Sequence, residues 1–328
     1  MALPLYPDFA PLDLSMSEDL VPALRSGRRG GVADGVSEFT FAGLYLFRQQ
    51  YGYQVSMLPS GDPVVTGAKN GEPFFLLPLG LPKDDELLCD LFHLGYLKNL
   101  SESDLGDAHE RLGPRDCTVE EDRDNSDYLY LAEELATLPG KKFHKKRTHV
   151  NGFESTYQHR VVPIDRETIA GAYAVLDAWQ EERNEPADYR ASREALDLWR
   201  ELELSGIVVM VDETPVAYAL GEPLPRGDSF VVHSEKALTS YRGAYQFVNA
   251  AFARVLAQRY RYINREQDLG DEGLRQAKMT YRPTGFVRKF RITAPANRAL
   301  SDVVATEDRL ASEAASATTP SAEPCCCR

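Results

Sequence analysis

The stretch YINREQDLGDEG places Asn264, Arg265, Glu266 and Asp268 within a few residues of one another, directly after the short run that ends in Ile263. Four polar side chains past a strand end make a rim of the kind where ligands of α/β sheets sit. A carboxylate there can act as a general base or bind a substrate ammonium, and a guanidinium can clamp a carboxylate or phosphate through two bonds. The structural alternative has Asp268 capping the next helix and Arg265 paired with Glu266. HSEK supplies a second rim, with Glu235 the stronger candidate base; a lone histidine at a strand end, such as His233, is more often a hydrogen-bonded structural residue than a catalyst. Arg242 and Gly243 stand where a strand turns into a helix that opens with Ala244 and Tyr245. Free N–H groups and the helix dipole attract phosphate at such a turn, although a turn glycine is common in any α/β domain. KKFHKKR then gathers Lys141, Lys142, Lys145, Lys146 and Arg147, either as a phosphate-facing strip or as a solvated helical face. His144 and His149 are out of helical phase for a metal pair, and no metal site is expected.

The elements that must hold these residues follow from spacing. SEFTFAGLYLFRQQYGYQVSML predicts a helix over 40–50 and then a strand, because its apolar residues fall at helical intervals. GDPVVTGAKNGEPFFLLPLG predicts a hairpin turning at Asn70 and Gly71, both of which tolerate positive φ. A second hairpin, over 207–211 and 216–220, suggests that the two halves repeat one mixed α/β plan. Downstream the pattern predicts strands at 229–233, 260–264 and 286–292, with helices at 244–258 and 272–281 between them. The basic run opens a helix that links the halves and carries His144, Lys145, Arg147 and Val150 towards Phe153 and Tyr157. Trp179 and Trp199 lie on helical stripes that read as core.

A chain of 328 residues is too long for one ordinary core, so two domains are expected. The hydrophobic share of 43% excludes wholesale disorder, and the net charge of −13 excludes a general nucleic-acid or DNA coat. Within 101–136 twelve acidic residues face three basic ones, so the cations of 141–147 mark an abrupt local change of sign. No run is long and apolar enough to span a bilayer, and no leader pattern opens the chain, which reads as soluble, cytoplasmic and without stable membrane insertion. Cys89 and Cys117 are isolated and Cys325, Cys326 and Cys327 crowd the end, which suits a reducing compartment rather than a disulfide framework. Residues 296–328 have almost no large apolar side chains and read as a disordered tail.

AKMTYRPTGFVRKFRI adds Tyr281, four residues before Gly285 and Phe286, and here the sequence resembles the GNAT acyltransferase superfamily, whose chains close with a helix, a Tyr and a Gly-Phe leading into a strand. More closely, SEFTFAGLYLFR, KKFHKKRTHVNGF, HSEKALTSYRGAYQFVNAAF and YINREQDLGDEGLRQAKMTYRP, between Ser37 and Ile292, resemble an uncharacterised bacterial family related to the C-terminal catalytic domain of phosphatidylglycerol lysyltransferases. The resemblance implies an α/β (α+β) fold of two GNAT-like acyl-CoA N-acyltransferase domains in tandem, mixed sheets flanked by helices, as in the Fem-type aminoacyl transferases. The boundaries it suggests are an extension at 1–36, a first domain at 37–140, the basic linking helix at 141–157, a second domain at 158–295 and the tail at 296–328. It implies an acyltransferase or aminoacyltransferase with acyl-CoA or aminoacyl-tRNA as co-substrate and no tightly bound cofactor. The acceptor would be an amine or hydroxyl on a small molecule or a lipid head group, with a soluble acceptor fitting a chain that lacks a spanning domain. Tyr281 matches the position whose phenol protonates the leaving group; its bland role is a packed tyrosine. Glu235 and Glu266 would be the acid–base carboxylates, Arg242 to Tyr245 the donor site, and His233, Asn264, Arg265 and Asp268 the substrate rim. The coenzyme A loop of that superfamily carries a Gly or Ala where this chain has Tyr245, which leaves the diphosphate cradle in doubt. If the donor is tRNA, the basic strip meets its phosphates; the other reading is a catalytically silent module that binds an anionic metabolite or lipid head group. Oligomeric state is not legible.

Overall fold

The computed structural model describes residues 3–26, 35–183, 186–225 and 228–295, so the expected tail and its three cysteines lie outside the described residues. In chain order the elements are β1 (Ala10–Pro11), α1 (Ser17–Arg25), α2 (Phe41–Tyr51), β2 (Gln54–Met57), β3 (Pro63–Lys69), β4 (Glu72–Leu76), α3 (Asp85–Asp90), β5 (Tyr96–Ser101), α4 (Leu105–Leu112) and β6 (Thr118–Glu121). There follow β7 (Asp127–Leu131), α5 (Ala132–Thr137), α6 (His144–Thr156), β8 (His159–Pro163), α7 (Ile169–Arg183), α8 (Pro186–Asp197), β9 (Ser205–Val211) and β10 (Thr214–Pro223). The last are β11 (Ser229–Ala237), α9 (Ala244–Leu256), β12 (Tyr262–Asn264), α10 (Glu272–Met279), β13 (Gly285–Val287) and β14 (Lys289–Thr293).

Local chemistry accounts for many of the boundaries. Thr40 starts α2 by accepting the Gly43 N–H at 2.9 Å, and Gly52 closes it in the left-handed region. Asn70 and Gly71 both take positive φ, and Lys69 faces Glu72 across the expected two-residue hairpin turn. The strands form two mixed seven-stranded sheets flanked by helices, in the orders β1-β2-β3-β4-β5-β14-β6 and β13-β7-β12-β11-β10-β9-β8. Each contains one parallel pair, β4 with β5 and β11 with β12, the remaining pairs being antiparallel, so the repeated plan read from the hairpins extends to whole sheets.

Sheet membership does not follow chain order. FVRKFRI reads as one strand, yet it breaks at Arg288: β13 closes the second sheet and β14 enters the first between β5 and β6. Conversely β7, which precedes the basic helix, is paired inside the second sheet. The exchange is fastened by a buried ionic cluster. Lys289 of β14 donates to Asp127 of β7 at 2.6 Å and to Glu38, with the Lys289 and Asp127 side chains fully buried. Asp127 also accepts from the Ser37 N–H and hydroxyl, each at 2.9 Å, and from Asn264 at 3.0 Å. Burial opposes a charge on Lys289, but Asp127 and Glu38 outweigh it and raise its pKa. Removing one partner of such a cluster strands the others without water or counterion. Lys289→Met is therefore expected to destabilise the protein by about 3–5 kcal/mol, read from urea midpoints; a loss below about 1 kcal/mol would show that the cluster fastens nothing.

Candidate active site

The second sheet opens where its parallel strands part. β11 and β12 pair only from Ser229 opposite Tyr262 to Val231 opposite Asn264; β11 then runs on to Ala237, while the other chain leaves as the loop 265–271. Within the continuing stretch β11 carries a bulge. Leu220 lies opposite Ser234 and Gly221 opposite Val232, so His233 is the extra residue. Gly221 is required there, because a Cβ would stand 1.9 Å from the Val231 carbonyl oxygen. The bulge turns His233 and Glu235 to opposite faces of the sheet, and each face holds a different cluster.

On the face covered by α9, Glu235 accepts from Arg265 Nη2 at 2.8 Å and from Asn249 Nδ2 at 3.0 Å. The acceptor-only carboxylate fixes the Asn249 amide, whose buried Oδ1 is left with no partner among the described residues. The Arg265 guanidinium spends no other N–H on a described residue, and it lies 5.1 Å from the centre of the Tyr281 ring. Tyr281 is 7% exposed and its hydroxyl bonds to no described residue; burial raises its pKa well above that of a free phenol, so it stands as a proton donor. Lys146 of α6 covers the same ring at 4.0 Å, and its pKa is lowered by burial and by Arg265 against the pull of Glu235. The structure brings Glu235, Arg265 and Tyr281 together, but the expected Arg265–Glu266 pair is replaced by Arg265–Glu235. Asn249 went unread, being a lone polar residue in an apolar helix.

On the other face His233 lies between two carboxylates, at 2.7 Å from Glu266 and 3.0 Å from Glu222. Burial works against its charge, but those two bonds prevail and raise its pKa to about 10, so it is an imidazolium donating through both ring nitrogens. Asn264 serves the fastening cluster, donating to Asp127 and to the Gly35 carbonyl, both at 3.0 Å. Asp268 does not cap the helix; Asp271 does, accepting from Leu274 at 2.6 Å. Asp268 is instead fully buried and takes hydrogen bonds from the Tyr128 hydroxyl at 2.6 Å, the Gly270 N–H at 2.9 Å and Arg275 at 2.9 and 3.0 Å. Burial alone would raise its pKa, but these donors hold the carboxyl far below the usual range. The loop between these residues rests on Lys278, which reaches back from α10 to the carbonyls of Arg265, Glu266 and Gln267 at 2.7, 3.2 and 2.5 Å.

The turn at Arg242 and Gly243 is arranged differently from a bare phosphate loop. Gly243 takes φ +90, and a Cβ there would lie 2.5 Å from the His149 carbonyl oxygen, so the glycine admits the backbone of α6. Ala244 is buried at the start of α9, and Tyr245 accepts the Trp179 indole N–H at 2.8 Å. Arg242 is exposed and bonds to no described residue. The basic run divides. Lys142 pairs with Glu134 at 2.7 Å and Arg147 donates to the carbonyls of Leu138 and Gly140, whereas Lys141 and Lys145 are exposed without a carboxylate partner among the described residues. One turn of α6 therefore separates Lys146, at Tyr281, from His149, at Gly243. Among the described residues no cluster of three or more His, Cys, Asp or Glu could hold a metal, and no helix is long and apolar enough to cross a membrane.

A mixed sheet that parts at a parallel pair, with a buried tyrosine beyond the last helix, can be set against known proteins. The family described as phosphatidylglycerol lysyltransferase, C-terminal, matches residues 29–293. The chain belongs to that family. A conserved protein of unknown function from Bacteroides thetaiotaomicron superposes with TM-score 0.77 and 29% identity, over 88% of this chain and 99% of that one. The L-PGS of Bacillus licheniformis superposes with TM-score 0.58 and 18% identity, over 95% and 99%. An uncharacterised protein of Mycoplasmoides gallisepticum is 24% identical over 179 residues, which are 51% of this chain and 55% of that relative, so the match spans about half of the curated relative's length. FemX superposes with TM-score 0.53 and 9% identity, over 88% of this chain and 97% of that one, so L-PGS and FemX share this fold, and family and fold together support acyl or aminoacyl transfer in general.

Two outcomes follow from this geometry. His233 gains a proton affinity on folding, so its contribution is complete below its unfolded pKa near 6.5 and is lost as pH rises towards about 10. Urea midpoints of the native protein should fall across that window more steeply than those of His233→Gln, and parallel curves would show that the imidazolium contributes nothing. Gly243→Ala, strained in φ and pressed on α6, should cost roughly 1–3 kcal/mol; an unchanged midpoint would show that α6 yields freely.

Proposed function

We propose that the protein transfers an activated aminoacyl group from aminoacyl-tRNA to an amine or hydroxyl, using the face of the second sheet that carries Glu235, Arg265 and Tyr281. The observation that carries this reading is the meeting of a carboxylate, a buried unbonded phenol and a guanidinium where β11 and β12 part. Glu235 takes the proton of the attacking amine or hydroxyl, whose lone pair then forms the new bond to the acyl carbon. The tetrahedral oxyanion that results is stabilised by the cations beside it. It collapses with cleavage of the ester bond, and Tyr281 gives its proton to the departing ribose oxygen. Glu266, engaged by His233 on the opposite face, belongs to the wall of the site rather than to this exchange, with His233, Asn264 and Asp268 holding the rim.

Two observations favour tRNA over acyl-CoA as donor. The Gly243 turn is packed against an α6 carbonyl, which is a poor neighbour for a diphosphate, and Lys141, Lys145 and Arg242 are exposed cations without carboxylate partners among the described residues. The acceptor is read as a small molecule or a lipid head group, and the place of action as the cytoplasm, where charged tRNA is made. A silent binding module is favoured by one fact, that both Glu235 oxygens already accept hydrogen bonds.

Substitution separates the two readings. With charged tRNA and a panel of amines, Tyr281→Phe should lower kcat roughly 100-fold while leaving donor affinity within about twofold. Equal turnover would remove Tyr281 from the mechanism, and no turnover by the native protein with either donor class would favour the silent module. Donor binding should weaken steeply with salt for tRNA and barely for acyl-CoA.

A further inference from the structure

The cations around Tyr281 outnumber their partners. Lys146 and Arg265 both address its ring, at 4.0 and 5.1 Å, and Glu235 is the one carboxylate paired with either of them among the described residues. The group therefore carries one positive charge in excess, in a place where Lys146 is half-buried and the Arg265 side chain is only 15% exposed. Its hydrogen-bonding capacity is also one-sided. Arg265 has five N–H donors and uses one on Glu235; the Lys146 ammonium and the Tyr281 hydroxyl bond to no described residue. The unspent Arg265 nitrogens are not among the sealed, unpartnered polar atoms, whereas the corresponding Nε atoms of Arg115 and Arg291 are. Free donors, excess positive charge and access together call for a ligand that is anionic and accepts only.

We propose that Lys146 and Arg265 form a phosphate-binding subsite over the Tyr281 ring, one that seats a phosphate of the donor beside the bond that is broken. This sets Lys146 apart from the neighbouring cations of the basic run. Lys145 lies exposed on the surface, Lys142 is spent on Glu134 and Arg147 on the end of α5, while Lys146 turns inward to the phenol. Two cations at one ring hold a tetrahedral anion by charge and by several hydrogen bonds at once, which a carboxylate engages less fully. Its catalytic meaning rests on the transfer reading above, because it fixes the donor with its leaving oxygen near Tyr281. Anion binding itself requires no turnover.

The test uses inorganic pyrophosphate as probe, by calorimetry on the full chain at low ionic strength. The native protein should bind it, Lys146→Met should weaken binding at least about 10-fold, Lys146→Arg should restore most of it, and Lys83→Met, at an exposed lysine of the other sheet's loops, should leave it within about twofold. Displacement of the probe by a cytidylyl-cytidylyl-adenosine trinucleotide identifies the phosphate as that of a tRNA end, and displacement by coenzyme A identifies it as that of a thioester donor; either supports the subsite. Equal binding by the native protein and Lys146→Met, equal losses in Lys83→Met and Lys146→Met, or no binding by the native protein overturns it. An inactive protein that still binds through Lys146 would refute the transfer reading and leave the subsite standing.

Discussion

The contact on which the architecture depends is the buried one between Lys289 and Asp127. Each comes from a strand that has left the sheet nearest to it in sequence, and the ion pair fixes the point where the chain passes between sheets. A buried pair of this kind adds little net stability over an apolar substitute, but it tolerates only one arrangement of its members, which makes it a device of register. Asp127 extends that register into the site through Asn264, the last residue of β12 before the strands part.

The exchanged strand β7 does more than complete a sheet. Its Tyr128 bonds through backbone N–H and carbonyl to Glu266 and Arg265, at 3.1 and 3.0 Å, and through its hydroxyl to Asp268. Tyr130, next but one, donates to the Lys278 carbonyl at 2.8 Å, and the Lys278 ammonium grips the loop from the other end. The loop that presents Arg265 is thus clasped between a strand contributed from before α6 and a helix that follows it. A guanidinium on a loop held this way keeps its direction while spending a single N–H, on Glu235, as a site made of prepositioned charges requires.

The sequence is most informative where a residue's role is local. Asn70 and Gly71 announce their turn because positive φ is a property of those residues alone, and Thr40 announces a helix start for a similar reason. Tyr281, Glu235 and Arg265 are legible as types at strand and helix ends, and the resemblance to a family supplies their common fold. Their partnerships are not legible. Arg265 stands beside Glu266 in sequence but pairs across the gap with Glu235, because the parting of two strands decides which carboxylate is in reach. Lys278 looks like any lysine of an amphipathic helix, and FVRKFRI carries no mark of the break at Arg288, since both halves are good strand sequence. Gly221 offered a clue: a glycine within a strand signals a bulge or a close backbone, and here it faces the bulge that separates His233 from Glu235.

The break at Arg288 has an evolutionary side. Two like modules joined end to end could be traded independently among relatives, each a self-contained unit of inheritance. Here the lacing of β7 and β14 into opposite sheets denies that freedom: a crossover anywhere between them would hand each descendant a sheet whose missing strand must come from a foreign parent.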